Sequence, residues 1–173
     1  MRLKRTVRFI GFGAEEVGLL GSHAHARRHA KELRRARFML NCDMPGLGGP
    51  GGLAFHECPA GADYLAELSA QMEAPLACGN RSHCHSDHFP FVLKGVPTAG
   101  LAGGRPGAAA GAAPHTAADT ADKLCLTDLR ETAAFAARFL LRAASDERWP
   151  IKRRTPKQVR AFVENSVGGK PSR

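Results

Sequence analysis

Residues 5–26 read RTVRFIGFGAEEVGLLGSHAHA, and the order of features in this stretch decides the fold. Val7 to Phe12 is an apolar run interrupted only by Arg8 and Gly11 and closed by Gly13, the pattern of a mostly buried strand. Two carboxylates, Glu15 and Glu16, come just after its end. From Gly18 to about Leu33, Leu19, Ala26, Ala30 and Leu33 share one helical face, while Arg27, Arg28, Lys31, Arg34 and Arg35 occupy the other. A strand, a pair of acids and a helix with a basic outer side make one β-α unit.

The pattern repeats downstream. Phe38 to Cys42 (FMLNC) predicts a second strand, and Asp43 follows it directly before MPGLGGPGG, a Pro and Gly stretch read as loop. Pro59 opens a helix with Tyr64, Leu65, Leu68 and Met72 on one face. After a polar Cys and His segment, Val96 to Leu101 predicts a further strand, and the Gly and Ala tract from Gly103 to Pro114 predicts a loop that ends just before His115. Thr127 is positioned to cap a long final helix with Leu129, Ala133, Ala136 and Leu140 on one face and Phe135 and Phe139 beside them. Alternating strands and helices predict an α/β fold with a largely parallel sheet, in which ligands bind at the carboxyl ends of the strands. Glu15, Glu16 and Asp43 all fall there.

Composition sets the outer limits. The chain has 173 residues, 43% hydrophobic and 24% charged, so it can build one core without needing a disulfide or a metal to fold. Five cysteines, none in a CxxC pair, fit neither a disulfide framework nor a zinc ribbon and leave the redox compartment open. The N-terminus reads as neither a signal peptide nor a membrane span, so no export signal is visible and the localisation stays unknown. Beyond a domain of residues 1–147, the composition turns basic. In residues 148–173, Lys152, Arg153, Arg154, Lys157 and Arg160 dominate, with Val159, Phe162, Val163 and Val167 at helical spacing behind Pro156. A formal net charge of +9 raises nucleic-acid binding as a hypothesis, but with one Trp, one Tyr and no reading motif the tail reads better as a solvated basic appendage carrying one short amphipathic helix.

The residues that could carry chemistry are few. Adjacent carboxylates at a strand end diverge, so Glu16 can hold a metal while Glu15 reaches the water that the metal polarises; the same pair also suits a solvated helix start. Asp43 is either an oxygen ligand or a turn residue. His115 precedes Asp119 and Asp122, either of which can orient its ring or cap the next segment. One imidazole with carboxylates suits zinc, and two such metals can share a water and a carbonyl. The segment CGNRSHCHSDHFPF gathers Cys78, His83, Cys84, His85, Asp87 and His88, yet its spacing matches no closed tetrahedral site. It reads instead as Ser86 or Asp87 capping a short helix through Phe91, with His88 facing the pocket or the core.

Four stretches in this order resemble the zinc aminopeptidases of metallopeptidase family twenty-eight, whose relatives include glutaminyl cyclases and noncatalytic receptor ectodomains. They are RTVRFIGFGAEEVGLLGSHAHA, NCDMPG, SDHFPFVLKGVPTAGL and PHTAADTADKL, and together they cover roughly Arg5 to Ala144. The resemblance implies a three-layer α/β/α zinc-exopeptidase-like fold, with Glu15 as general base, Glu16 and His115 on one zinc and Asp43 on a second. Asp87, His88 and Asp119 would line the pocket or support these ligands. The GLLGS after Glu16 is more similar to the peptidases than to the cyclases, so a peptide substrate is implied, with hydrolysis of its N-terminal residue.

One family feature has no counterpart. Members carry a His-x-Asp motif well upstream of the Glu pair, supplying one zinc ligand and a carboxylate that bridges both ions, and the family's first strands are missing along with it. The complete site would hold two zinc ions; the residues present leave this chain with one or none. The expectation is a natural protein that starts upstream of Met1. A noncatalytic remnant or binding module on the same scaffold, or self-association in which a second chain supplies the missing half, are the alternatives.

Overall fold

The structure, a computed structural model, describes residues 3–72, 77–81, 83–104 and 113–167. Most of the Gly and Ala tract, residues 105–112, and the end of the basic tail, residues 168–173, lie outside the described residues.

The chain forms α1 (Leu20–Arg28), α2 (Ala30–Leu33), β1 (Met39–Asn41), β2 (Pro50–His56), α3 (Pro59–Gln71), β3 (Ala77–Arg81), α4 (Phe89–Leu93), β4 (Thr98–Gly103), α5 (Leu126–Ser145) and α6 (Pro156–Val167), with a short 3-10 turn at Ala121–Lys123. The four strands make one mixed sheet in the order β1-β4-β2-β3. β1 runs parallel to β4 and β2 parallel to β3, while β2 and β4 are antiparallel. No helix among the described residues is long and apolar enough to cross a membrane.

Alternation along β2 sorts the two faces of this α/β fold. Leu53 and Phe55, paired with Leu101 and Ala99 of β4, point into the main core. There Leu65 and Leu68 of α3, with Met72 just past its end, meet Phe135, Phe139 and Ala143 of α5. The opposite face of β2 presents Ala54 and His56. A second cluster joins Ala26 of α1, Leu33 of α2, Phe91 of α4 and Val96, with Phe12 and Met39 against it.

Several expectations are corrected. Residues 7–12 adopt no regular secondary structure and take no place in the four-stranded sheet. Phe9 is 88% exposed and Ile10 42%, whereas Val7 is half-buried and Phe12 is anchored against His25 and Phe91. Apolar residues on both faces demand neighbouring strands and two covering layers, which the described residues do not supply here. The single helix expected from Gly18 to Leu33 breaks at His29, whose φ of −103° and ψ of 21° leave the helical region. Its buried side is nonetheless the expected one, through Leu19, Ala26 and Leu33.

The Pro and Gly stretch expected as loop contains the start of β2. Its glycines are there because the sheet closes tightly: a Cβ on Gly51 would lie 2.3 Å from the Gly103 carbonyl oxygen, and one on Gly52 would lie 2.2 Å from that of Ala77. Thr127 does not cap α5, which begins at Leu126 without a side-chain cap. Asp128, in its first turn, accepts a 2.7 Å hydrogen bond from the Gly48 amide and ties the helix start to the β1–β2 loop.

The segment after residue 147 is packed rather than solvated. Trp149 sits edge-on to Phe38 and Tyr64, and Ile151 joins the main core. Phe162 of α6 is fully buried, with the Arg154 guanidinium 5.5 Å above its ring. Arg153 donates to the carbonyls of Leu33, Ala36 and Lys94, and Arg154 to those of Val96 and His56. Two of the tail's cations are therefore turned inward onto backbone oxygens.

The α5 C-terminus carries a testable acid sensitivity. Tyr64 Oη donates to Asp146 Oδ2 at 2.8 Å, and the Arg148 amide to Oδ1 at 2.7 Å. Burial alone would raise the Asp146 carboxyl, but these bonds together with the Arg148 and Arg37 guanidinium groups hold it below its usual value. A folded value below the unfolded one means stabilisation that is present above about pH 3.9 and is lost as pH falls through the folded value. Asp146→Asn is expected to flatten the acid limb of a chemical-denaturation profile below about pH 4, whereas an unchanged limb would place acid sensitivity elsewhere.

Candidate metal centre

The turn carrying the Glu pair is built from unusual backbone. Ala14 and Leu19 both hold left-handed conformations, with φ of 59° and 58°. Between them the Glu15 carbonyl accepts from the amides of Gly18 at 3.1 Å and Leu19 at 2.9 Å. The Gly21 amide donates to the Gly13 carbonyl at 3.1 Å, and a Cβ on Gly21 would stand 2.6 Å from that oxygen. Only glycine lets α1 approach so closely. Gly21→Ala is expected to push Gly13 away, lowering stability by about 1–3 kcal/mol and displacing the Glu pair, as thermal melts would register; an unchanged melting temperature would contradict this packing.

From this turn the Glu16 carboxylate reaches His115, with Oε2 2.7 Å from Nδ1. His115 is itself in a left-handed conformation, φ 63°, in the segment that follows β4. Asp43, just past β1, is held by a relay: Asn41 Nδ2 donates to Ser86 Oγ at 2.6 Å, and Ser86 Oγ donates to Asp43 Oδ2 at 2.6 Å. Asn41 and Ser86 are buried, so this relay is a fixed part of the fold.

Charge couples these groups. The Glu15 carboxyl is raised by its burial and then by the negative charges of Asp43, Glu16 and Asp87, with His115 acting in the opposite direction. Asp87, before α4, has one carboxylate oxygen, Oδ1, that is buried without a hydrogen-bond partner among the described residues. Negative charge is thus gathered beyond what the surrounding donors neutralise, a setting that favours a dication. Carboxylates with one imidazole are zinc donors in kind. In number they are sparse: among the described residues no three of these groups bring ligand atoms within 4.8 Å of one another.

Of the residues singled out from sequence, the structure brings together Glu15, Glu16, Asp43, Asp87 and His115. It sets two apart. His88 lies buried on the second face of the sheet, and Asp119 is exposed in a turn where its amide donates to the Thr116 carbonyl at 3.1 Å. The supporting roles of Asn41 and Ser86 were not foreseen. Asn41 is two residues before Asp43, where strand alternation places it on the same side, and that spacing was the available signal.

Comparison with known proteins follows the same residues. A family model described as peptidase family M28 matches residues 1–140. Among curated relatives, aminopeptidase YwaD of Bacillus subtilis (strain 168) is 33% identical over 108 residues, covering 59% of this chain and 24% of the relative. Among solved structures, an aminopeptidase from Aneurinibacillus sp. strain AM-1 superposes with a TM-score of 0.62 at 28% identity, over 83% of this chain and 35% of that one. BSAP, a zinc aminopeptidase from Bacillus subtilis, shares the fold with a TM-score of 0.60 at 24% identity, over 79% of this chain and 35% of that one. The chain spans about a quarter of the length of the curated relatives it matches.

Proposed function

The chain belongs to peptidase family M28, and from that premise we propose that it carries the acid-rich part of a zinc aminopeptidase centre, hydrolysing N-terminal residues from peptides. The observation that carries this reading is the convergence of Glu15 with Glu16, Asp43, Asp87 and His115 within the family-matched stretch.

In this reading Glu16 and His115 hold one zinc, and Asp43, fixed by Ser86, offers an oxygen to a second. Bound zinc supplies a positive field that acidifies water and polarises a peptide carbonyl. Glu15 acts as the base. Its carboxylate takes a proton from the attacking water as the new C–O bond forms, and returns one to the departing amine as the C–N bond breaks. A carboxyl raised by burial and by neighbouring charge is suited to both transfers, because it holds a proton more readily than a solvated one.

The experiment is a pair of chromogenic amides incubated with the zinc-supplemented chain, one with a free α-amine and one N-acetylated. Cleavage of the free amine alone is expected; equal cleavage of both would remove the exopeptidase assignment. The sparse donor count favours a second reading, a noncatalytic module on the same scaffold. That reading predicts no tight zinc uptake at Glu16 and His115.

A further inference from the structure

On the second face of the sheet three imidazoles meet. His56 ends β2, His83 lies between β3 and α4, and His88 immediately precedes α4; one ring nitrogen from each falls within 4.8 Å of the others. The His56 and His88 rings are fully buried and stacked, with centroids 3.6 Å apart and planes 11° from parallel. The half-buried His83 ring stands edge-on to both, 5.1 Å from His56 and 4.5 Å from His88.

Each buried ring has one nitrogen fixed and the other bare. His56 Nδ1 lies 2.9 Å from Thr98 Oγ1, and His88 Nε2 lies 3.0 Å from the His83 carbonyl oxygen. His56 Nε2 and His88 Nδ1 are buried without a partner among the described residues. Since a carbonyl only accepts, His88 Nε2 carries the proton and Nδ1 is an open lone pair. The Thr98 hydroxyl can accept or donate, and in the tautomer whose Nδ1–H donates to it His56 Nε2 is another. Both rings stay neutral: burial, then the His88, His83 and Arg154 charges, push His56 down to about 2, and burial dominates in pushing His88 down to about 4.

We propose that His56, His83 and His88 form a binding site for a zinc-class divalent cation, separate from the carboxylate centre. A ligating histidine normally has its second nitrogen fixed by a hydrogen bond, and that arrangement occurs twice here. Neutral imidazoles are the protonation state a metal requires, and three nitrogen donors select zinc, cobalt, nickel or copper over magnesium and calcium. Two features limit the affinity. The lone pairs of parallel rings do not converge, so an ion must part the His56–His88 stack, and the nearby Arg154 guanidinium opposes a second cation. His83, on the more open side, is the third ligand that makes the parting worthwhile.

The test is a cobalt(II) titration of the metal-stripped chain carrying Glu16→Gln and His115→Ala, which removes two of the carboxylate centre's three proposed ligands and leaves Asp43 as a single oxygen donor. Visible ligand-field bands and perturbed imidazole nitrogen resonances of His56 and His88 are expected, with zinc displacing the cobalt. Adding His83→Ala, which removes the half-buried ring, is expected to weaken uptake by about tenfold or more; a second variant, His88→Gln, is expected to do the same, with both checked for folding by circular dichroism. No bands in the Glu16→Gln, His115→Ala chain, or uptake indifferent to His83→Ala with both imidazoles unperturbed, would overturn the site and leave the stack as packing alone.

Discussion

Glu15→Gln is expected to lower the turnover number for aminoacyl amide hydrolysis by about 10²–10⁴-fold, the range for loss of a positioned general base. The substitution keeps the side chain's shape and its place in the Gly13–Gly21 turn, and it leaves the Glu16–His115 contact untouched. Zinc uptake should therefore persist. The fold should persist too, because burial and the charges of Asp43, Glu16 and Asp87 already disfavour the ionised form of Glu15, so a neutral amide relieves repulsion rather than adding it. Turnover lost with metal content and melting temperature retained is the signature of a base. Full turnover by the variant would move the proton-transfer role to another residue, and loss of zinc together with turnover would make Glu15 a ligand.

The second large effect concerns the core. Phe139 of α5 is fully buried against Phe38, 5.8 Å between centroids, and Phe135, 6.3 Å, under the Leu53–Phe55 face of β2. Phe139→Ala is expected to destabilise the chain by about 3–5 kcal/mol, combining lost transfer energy with the cavity left behind. Urea denaturation measures this directly. A loss below about 1 kcal/mol would mean that the helix does not pack on the sheet as described.

What could be read from the sequence divides along physical lines. The helix from Pro59 was readable because Tyr64, Leu65, Leu68 and Met72 recur with helical period, and all four are buried. The α5 face was rotated: Thr132, Phe135, Phe139 and Ala143 are the buried residues, while Ala136 and Leu140 of the expected stripe pack partly buried against the core and Ala133 is exposed, since the large rings fill the space beneath the sheet and turn the helix toward themselves. β2 was hidden because its glycines, a loop signal in one dimension, are close-approach positions in three. Residues 7–12 carry a strand's pattern without a strand's neighbours, which shows that periodicity reports what a segment is suited to bury, not what is there to cover it.

The candidate acids stood out in the sequence because each lies next to a strand end or a helix start, and because the order of motifs constrains them jointly. Its support was not. Ser86 read as a helix cap and instead holds Asp43, and no local pattern announces that a serine before α4 will meet an aspartate after β1. The imidazole cluster was half visible in the CGNRSHCHSDHFPF segment, but His56 comes from a different strand, and only the parallel pairing of β2 with β3 brings it near.

The measurement closest to the central claim is a zinc titration of the metal-stripped chain in which bound zinc, by elemental mass spectrometry, and release of chromophore from a free-amine aminoacyl amide are read on the same samples. The account predicts that turnover rises with occupancy of the Glu16–His115 centre and disappears in His115→Ala. Zinc bound at that centre in a folded chain with no turnover above background would contradict it and leave a metal-binding but noncatalytic module.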